Sequence, residues 1–277
     1  MSNSDELPPQ PPPPRPQRAK SVLIRSVWAD NLEEEFKLIR SEIDRYPLIS
    51  MDTEFPGIVF RPAAGDPYNR RSDPRTHYLS VKENVDLLNM IQIGLTIADE
   101  DGDFDVARDA HAHDSVELLR RQGIDFEKNR ELGIDSVKFA GMMMSSGLVL
   151  NDSVSWVTFH CAYDFGYLVK CLTQQVLPEE LNEFFERVRV YFGDRVYDVK
   201  HIMKFCGNLH GGLDRVCKEL GVDRIIGKSH QAGSDSLLTL HAYLKIKDKY
   251  FFNDKDDGPG GGLDNYANVF YGLELFD

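Results

Sequence analysis

Strands alternate with helices along nearly the whole chain, which predicts an α/β domain with a mixed central sheet covered by helices. Two further observations bear on the number of domains. The 277 residues, 42% of them hydrophobic, fit one large domain or two small ones with a proper core. No internal repeat is visible, and no second region is patterned like an independent domain. The expected boundaries are a disordered proline-rich head over 1–20, a folded domain over 21–251, and a flexible C-terminal tail over 252–277.

The elements follow in order. Order begins at "SVLIRSVW". Asp30 is the expected N-cap of a helix over "NLEEEFKLIRSEIDRY", with acids in its first turn and Leu32, Phe36 and Ile39 on one stripe. "PLISMDTEF" is a strand. A loop rich in Pro, Gly, Arg and Asp covers about 56–76. The helix "YLSVKENVDLLNM" and the strand "IQIGLTIADE" follow. Residues 100–113 are polar, with "FDVA" as a short strand. Helices are expected in "DSVELLRRQG", "DSVKFAGMMMSSG", "YDFGYLVKCLT", "PEELNEFFERVRVYF", "GGLDRVCKELGV" and "SDSLLTLHAYLKIKDKYF", and strands in "SWVTF" and "RVYDV". Gly221 is placed to end its helix in the left-handed conformation. The tail opens on a linker and closes on an aromatic patch.

The net charge of −13 argues against a protein that coats long nucleic acids, which would carry a basic excess. A nucleic-acid enzyme with this balance holds a short piece in a local site, helped by cations. The four cysteines, Cys161, Cys171, Cys206 and Cys217, form no zinc-type pattern and read as reduced and largely buried. The N-terminus lacks a secretory signal, and the longest apolar stretch, "FAGMMMSSGLVL", is too short to span a bilayer. A soluble intracellular protein with no membrane partner is expected.

The stretch "MDTEFPG" at 51–57 sets Asp52 and Glu54 in an otherwise apolar strand. Side chains at i and i+2 share one face, so the two carboxylates crowd each other. A divalent cation removes that cost, and hard oxygen ligands suit Mg²⁺ or Mn²⁺. On its own a D-x-E pair is commonly just solvated. Asp164 opens the helix after the strand "SWVTF", and Asp235 opens the helix after "HQAG", five residues beyond His230. Acids at helix starts are also what the helix dipole favours, and a loop histidine more often binds backbone. The set is more telling than its members, because strand ends and helix starts gather on one edge of an α/β sheet. Four acids and an imidazole there suit two-metal phosphodiester cleavage: one ion activates water, the other steadies the leaving 3′ oxygen, and the neutral imidazole takes the proton. Asp198 and His201 in "YDVKHIMKF" are read as mainly structural.

The order D-x-E, D, H-x4-D resembles the DEDD superfamily of 3′–5′ exonucleases in its histidine-bearing branch. The segments "MDTEFPG", "ENVDLL", "IQIGLT", "FHCAYDFGYL", "YDVKHIMKFC", "HGGL" and "HQAGSDSLLT" are similar to the Caf/Pop family, the nuclease subunits of the CCR-NOT poly(A) deadenylase complex. The resemblance runs from about 24 to 251, with an echo in "YGL" at 271–273, and the proline-rich head and wording resemble plant members.

The resemblance implies an RNase H-like (DEDD exonuclease) fold and removal of mRNA poly(A) tails from the 3′ end with release of AMP. It implies two divalent ions, Mg²⁺ or Mn²⁺, with Zn²⁺ also open. Asp52 would bridge both, Glu54 and Asp235 would complete the first site, Asp164 would hold the second, and His230 would be the general base. Phe55 is the candidate for stacking on the terminal base, with plain core packing an equal alternative. Implied partners are poly(A) RNA, a large scaffold subunit, a leucine-rich-repeat deadenylase subunit and, in animals, antiproliferative adaptors. Implied locations are the cytoplasm, including mRNA-decay granules, and the nucleus, with links to mRNA decay and transcription regulation.

Two departures stand out. Family members carry a longer segment with a Trp-Gln-Phe-Asn-Phe strand where this chain has "ADEDGDFDVARDAHAHDSVELL", which puts one sheet strand in doubt; "FDVAR" is a partial substitute. Cys161 stands where many relatives have serine, at a position no ligand occupies. The first departure motivates an alternative, a scaffold subunit with weakened catalysis. A third reading is a related 3′ exonuclease acting on another substrate, such as DNA.

Overall fold

The computed structural model describes residues 24–60, 73–99, 109–111, 126–251 and 262–275. Among these, the strands are β1 (Ile24–Ser26), β2 (Leu48–Glu54), β3 (Gln92–Ala98), β4 (Asp109–His111), β5 (Ser155–Thr158) and β6 (Val196–Asp198). The helices are α1 (Leu32–Glu42), α2 (Pro74–Leu87), α3 (Phe126–Leu132), α4 (Ser136–Met144), α5 (Ala162–Thr173), α6 (Leu181–Phe192), α7 (Val199–Ile202), α8 (Leu213–Leu220) and α9 (Ala232–Tyr250). One sheet runs β1-β4-β3-β2-β5-β6. β2, β3 and β4 form an antiparallel meander, while β5 and β6 continue parallel to β2. This is the expected RNase H-like sheet, with β1 added parallel to β4 at the edge.

Alternation along β2 divides its two faces. Ile49 and Met51 point into one core with Val81 of α2, Met143 of α4, Trp156 of β5 and Phe165 of α5. Leu48 points into a second core with Val157, Tyr197, Val216 of α8 and Leu238 and Ile246 of α9. Burying each such side chain contributes about 1.5–3 kcal/mol. β2 is therefore gripped from both sides, and its carboxylate end is carried on a rigid support.

Several elements begin elsewhere than expected. α1 starts at Leu32, with Asn31 rather than Asp30 at the cap position. The Asn31 side chain turns back instead, accepting from the Trp28 N–H at 2.7 Å and donating to the Ser26 carbonyl at 3.1 Å. α2 starts four residues early at Pro74, because Asp73 caps it through the Thr76 N–H and Pro74 is preset for the first turn. α3 was not expected, since "FEKNREL" has no apolar stripe. Gly221 ends α8 with φ +69°, as predicted.

The head over 1–20, the strand "FDVA" and the helix "DSVELLRRQG" lie outside the described residues. The sheet position put in doubt by the shortened segment is filled, however: β4 pairs there with β3 and β1. The flexible tail is corrected over 262–275. Phe270 and Leu273 are fully buried, and the Phe270 ring stacks on Phe165 at 5.1 Å. The aromatic patch belongs to the core of the domain, so the domain does not end at 251. All four cysteines are buried and free, and no described helix is long and apolar enough to cross a membrane.

Candidate active site

The site forms where β2 ends. Asp52 and Glu54 lie on the β2 face that meets α9, the face that Leu48 shares with the α9 core. Thr53, between them, belongs to the opposite face and meets α5. There the Asp164 carboxylate accepts from the Thr53 N–H at 2.9 Å and from its hydroxyl at 2.5 Å. The threonine thus ties the first turn of α5 to the strand that carries the other acids.

α9 delivers the next carboxylate. Its N-terminus lies against β3, where the Ala232 N–H donates to the Gln92 side chain at 2.8 Å and Ser236 bonds Thr96 at 2.9 Å. Close approach is possible because the intervening residue is Gly94, whose missing Cβ would overlap the Ala232 backbone. Asp235 follows one turn into α9 and is buried. Donor atoms of Glu54, His230 and Asp235 all lie within 4.8 Å of one another.

His230 sits in the loop before α9 with φ +61°, a left-handed conformation uncommon for a side-chain-bearing residue. Its N–H donates to Asp235 at 2.7 Å, and the Lys228 N–H to the Gln231 side chain at 3.0 Å. Such backbone strain survives only where neighbours over-determine it, and it clusters at functional sites.

The electrostatics are those of crowded acids. Burial, then the charges of Asp164, Asp235 and Glu54, push the Asp52 carboxyl well above the usual range, with Arg224 opposing. Burial raises Asp164 to about 7, against the lowering effect of its two Thr53 hydrogen bonds. Burial also raises Asp235, against the Arg224 guanidinium, which pairs with it at 2.6 Å.

A family model for CAF1 family ribonuclease matches residues 27–138 and 135–242. The chain belongs to the CAF1 ribonuclease family. The probable CCR4-associated factor 1 homolog 7 of Arabidopsis thaliana is 49% identical over 272 residues, covering 91% of this chain and 94% of that protein. The poly(A) ribonuclease pop2 of Schizosaccharomyces pombe is 43% identical over 264 residues, 90% of this chain and 75% of its own length. The Mg²⁺- and Mn²⁺-bound structure of S. pombe Pop2p superposes with a TM-score of 0.80 at 42% identity, covering 90% of this chain and 99% of that one. A yeast structure of the NOT1 MIF4G domain co-crystallized with CAF1 matches with a TM-score of 0.72 at 30% identity, over 95% and 99% of the two chains.

For a CAF1 family chain the residues present fit divalent cations. Glu54, Asp235 and His230 converge, and the burial and neighbouring acids that oppose ionisation of Asp52 are what a bound cation would offset. Oxygen-rich sets of this kind suit Mg²⁺ and Mn²⁺. Phe55 is half-buried, its ring 5.0 Å from those of Tyr163 and Tyr167. Asp198 is fully buried and its carboxylate accepts from the backbone N–H groups of His160, Lys200 and Tyr271 at 2.8, 2.9 and 2.9 Å. It welds β6 to the start of α5 and to the C-terminal segment. His201 contacts Glu274 at 3.2 Å. Thr53, Gln92, Gly94 and Arg224 join the site without having been expected from the sequence. A glycine inside the strand pattern "IQIGLT" was the available signal for a close backbone approach.

Proposed function

We propose that this CAF1 family ribonuclease is a poly(A)-specific 3′–5′ exoribonuclease, cutting one nucleotide at a time with release of AMP, as a catalytic subunit of the CCR-NOT complex. The observation that carries the reading is the convergence of Glu54, His230 and Asp235 beside Asp52 in a chain similar to poly(A) ribonuclease pop2. Asp52, Glu54 and Asp235 would hold one divalent ion, and Asp52 and Asp164 a second. When bound, such ions neutralise charge at the scissile phosphate and make water acidic.

The chain's own residues then do the following. Thr53 keeps the Asp164 carboxylate turned toward β2. Asp235 fixes the His230 backbone, so the imidazole stands at the rim of the carboxylates. His230 takes the proton of the attacking water as its oxygen bonds to phosphorus. The phosphorus–O3′ bond breaks, the 3′ oxygen takes a proton from solvent, His230 returns its own to solvent, and AMP leaves. Phe55, half-buried against Tyr163 and Tyr167, is the residue assigned to contact the terminal base.

The yeast NOT1–CAF1 co-crystal supports a NOT1-type scaffold as partner. A leucine-rich-repeat deadenylase subunit, and residence in cytoplasm, mRNA-decay granules and nucleus, complete the proposal. The deciding experiment uses 5′-labelled RNA ending in about twenty adenosines after a mixed sequence, longer than a short single-strand site. Incubation with Mg²⁺ should give a ladder that shrinks from the 3′ end and slows at the mixed sequence. EDTA and Asp52→Ala should abolish it. A matching DNA degraded faster than the RNA would overturn the substrate assignment.

A further inference from the structure

Arg224 lies eleven residues before Asp235, in the loop between α8 and α9. Its side chain is only 17% exposed, and it contacts three segments. One end pairs with Asp214 of α8 at 2.7 Å and with Asp235 of α9 at 2.6 Å. The other donates to the Ser234 hydroxyl at 2.6 Å and to the Lys228 carbonyl at 3.3 Å. Ser234 in turn donates to the Ile226 carbonyl at 2.7 Å.

The two carboxylates bridged by Arg224 each hold one of two consecutive loop residues. Asp214 accepts from the Ser229 hydroxyl at 2.8 Å, and Asp235 accepts from the His230 N–H at 2.7 Å. The guanidinium therefore closes a ring that passes through Ser229 and His230. Without it, two carboxylates that now share one guanidinium nitrogen would repel each other, and the Ser229 hydroxyl and His230 N–H that they hold would be pulled apart with them. The planar fork suits this task, since it reaches two carboxylates and a hydroxyl at once where an ammonium would act as a point charge. Packing leaves no slack: at Gly227, with φ +74°, a Cβ would come within 2.6 Å of the Ser234 Cβ.

We propose that Arg224 is a positioning residue of the active site, which sets the orientation of the Asp235 carboxylate and holds the His230 loop in its strained conformation before any cation or RNA arrives. This rests on the nuclease reading for its consequence but not for its structural content. Partners that orient metal-binding groups typically change metal affinity or activity 10–100-fold when removed.

The first measurement is amide hydrogen exchange of the 226–235 segment in metal-free protein, for wild type, Arg224→Met, Arg224→Lys and Asp214→Asn. Exchange at His230 should rise at least 10-fold in Arg224→Met and less in Arg224→Lys, while the β2–β3 ladder stays protected. Asp214→Asn keeps the guanidinium and alters an exposed partner, so it reports on the ring even if Arg224→Met fails to fold; it should loosen Ser229 and His230 by a few-fold. Unchanged protection at His230 in the folded variants would overturn the proposal. The second measurement is Mn²⁺ binding followed by EPR, with steady-state trimming alongside. Arg224→Met should bind Mn²⁺ 10–100-fold more weakly and lose kcat with little change in KM for RNA. Tighter Mn²⁺ binding would mean that Arg224 merely competes with the cation, which also overturns it. A wild-type protein that shows the exchange pattern yet trims no RNA would count against the nuclease reading and leave the positioning role standing.

Discussion

Gly94 stands directly opposite Asp52 in the β2–β3 ladder, and the space a Gly94 side chain would fill is taken by the Ala232 backbone at the start of α9. Two distant parts of the chain thereby meet at one point. β2 supplies Asp52 and Glu54 there, and α9 brings Asp235 to them. The contact is backbone against Cβ position, so it cannot be relieved by a rotamer change. Gly94→Ala should force α9 outward, at about 1–3 kcal/mol or somewhat more for overpacking a rigid site. Trimming should fall far more than stability does, because small displacements of reacting groups are costly. Thermal unfolding and trimming rates of the same preparation test this; a Gly94→Ala protein with wild-type kcat would refute it.

His230→Ala should lower kcat by about 10²–10⁴-fold, the usual range for a lost general base. His230 is largely solvent-facing while Asp235 is buried, so the substitution should leave the fold intact. Far-UV circular dichroism and Mn²⁺ binding provide the controls. A trimming rate unchanged by this substitution would strip His230 of its assigned role.

The metal-free protein should lose stability as pH rises. The Asp164 carboxyl titrates near 7 in the fold against an ordinary value of 3.8. Below both values it is protonated folded or unfolded. Between them the unfolded chain gives up its proton first, so the fold is progressively disfavoured, and the loss levels off above about pH 7. The full effect is of the order of 4 kcal/mol. Asp52 and Asp235 are shifted in the same direction. His160 and His241, lowered by burial, act in the opposite sense. Comparing melting temperatures with EDTA and with Mn²⁺ at each pH cancels those histidines. The Mn²⁺-induced gain should grow from pH 5 to pH 8 and shrink in Asp164→Asn. A gain independent of pH would contradict this account of the site.

The legible parts of the site were those written in local periodicity. Asp52 and Glu54 share a face because strands alternate, and Asp164 and Asp235 open helices whose apolar patterns are plain in the sequence. Arg224 was not legible, because its partners are brought to it by a loop whose path depends on tertiary packing. Thr53 was hidden for a related reason: its hydrogen bonds run to a helix 111 residues away. β4 has three residues, too few for any periodic signal. The buried C-terminal segment was concealed by the Gly-, Asp- and Pro-rich stretch before it, which reads as a linker whatever follows.

That C-terminal segment packs against the helical turn that carries Asp164. Phe270 is fully buried, stacked on Phe165 and edge-on to Phe184 and Phe185 of α6. Phe165 is the residue after Asp164, so the ring that Phe270 presses on belongs to the same helical turn as a site carboxylate. Glu274 adds an ion pair to Lys204, and the buried Asp198 accepts from the Tyr271 N–H, fastening the segment to β6. Phe270→Ala should cost about 3–5 kcal/mol, the range for a large aromatic removed from a core. Glu274→Ala should cost less than Phe270→Ala, because it removes hydrogen bonds to the Gly272 N–H and His201 and a partly screened pair with Lys204 rather than a large core ring. Truncation before residue 262 should destabilise at least as much as Phe270→Ala and reduce trimming at temperatures where the wild type is fully folded. Chemical denaturation of the three variants orders them. A truncated protein as stable as wild type would mean that the segment only rests on the domain, and that α5 holds Asp164 in place without it.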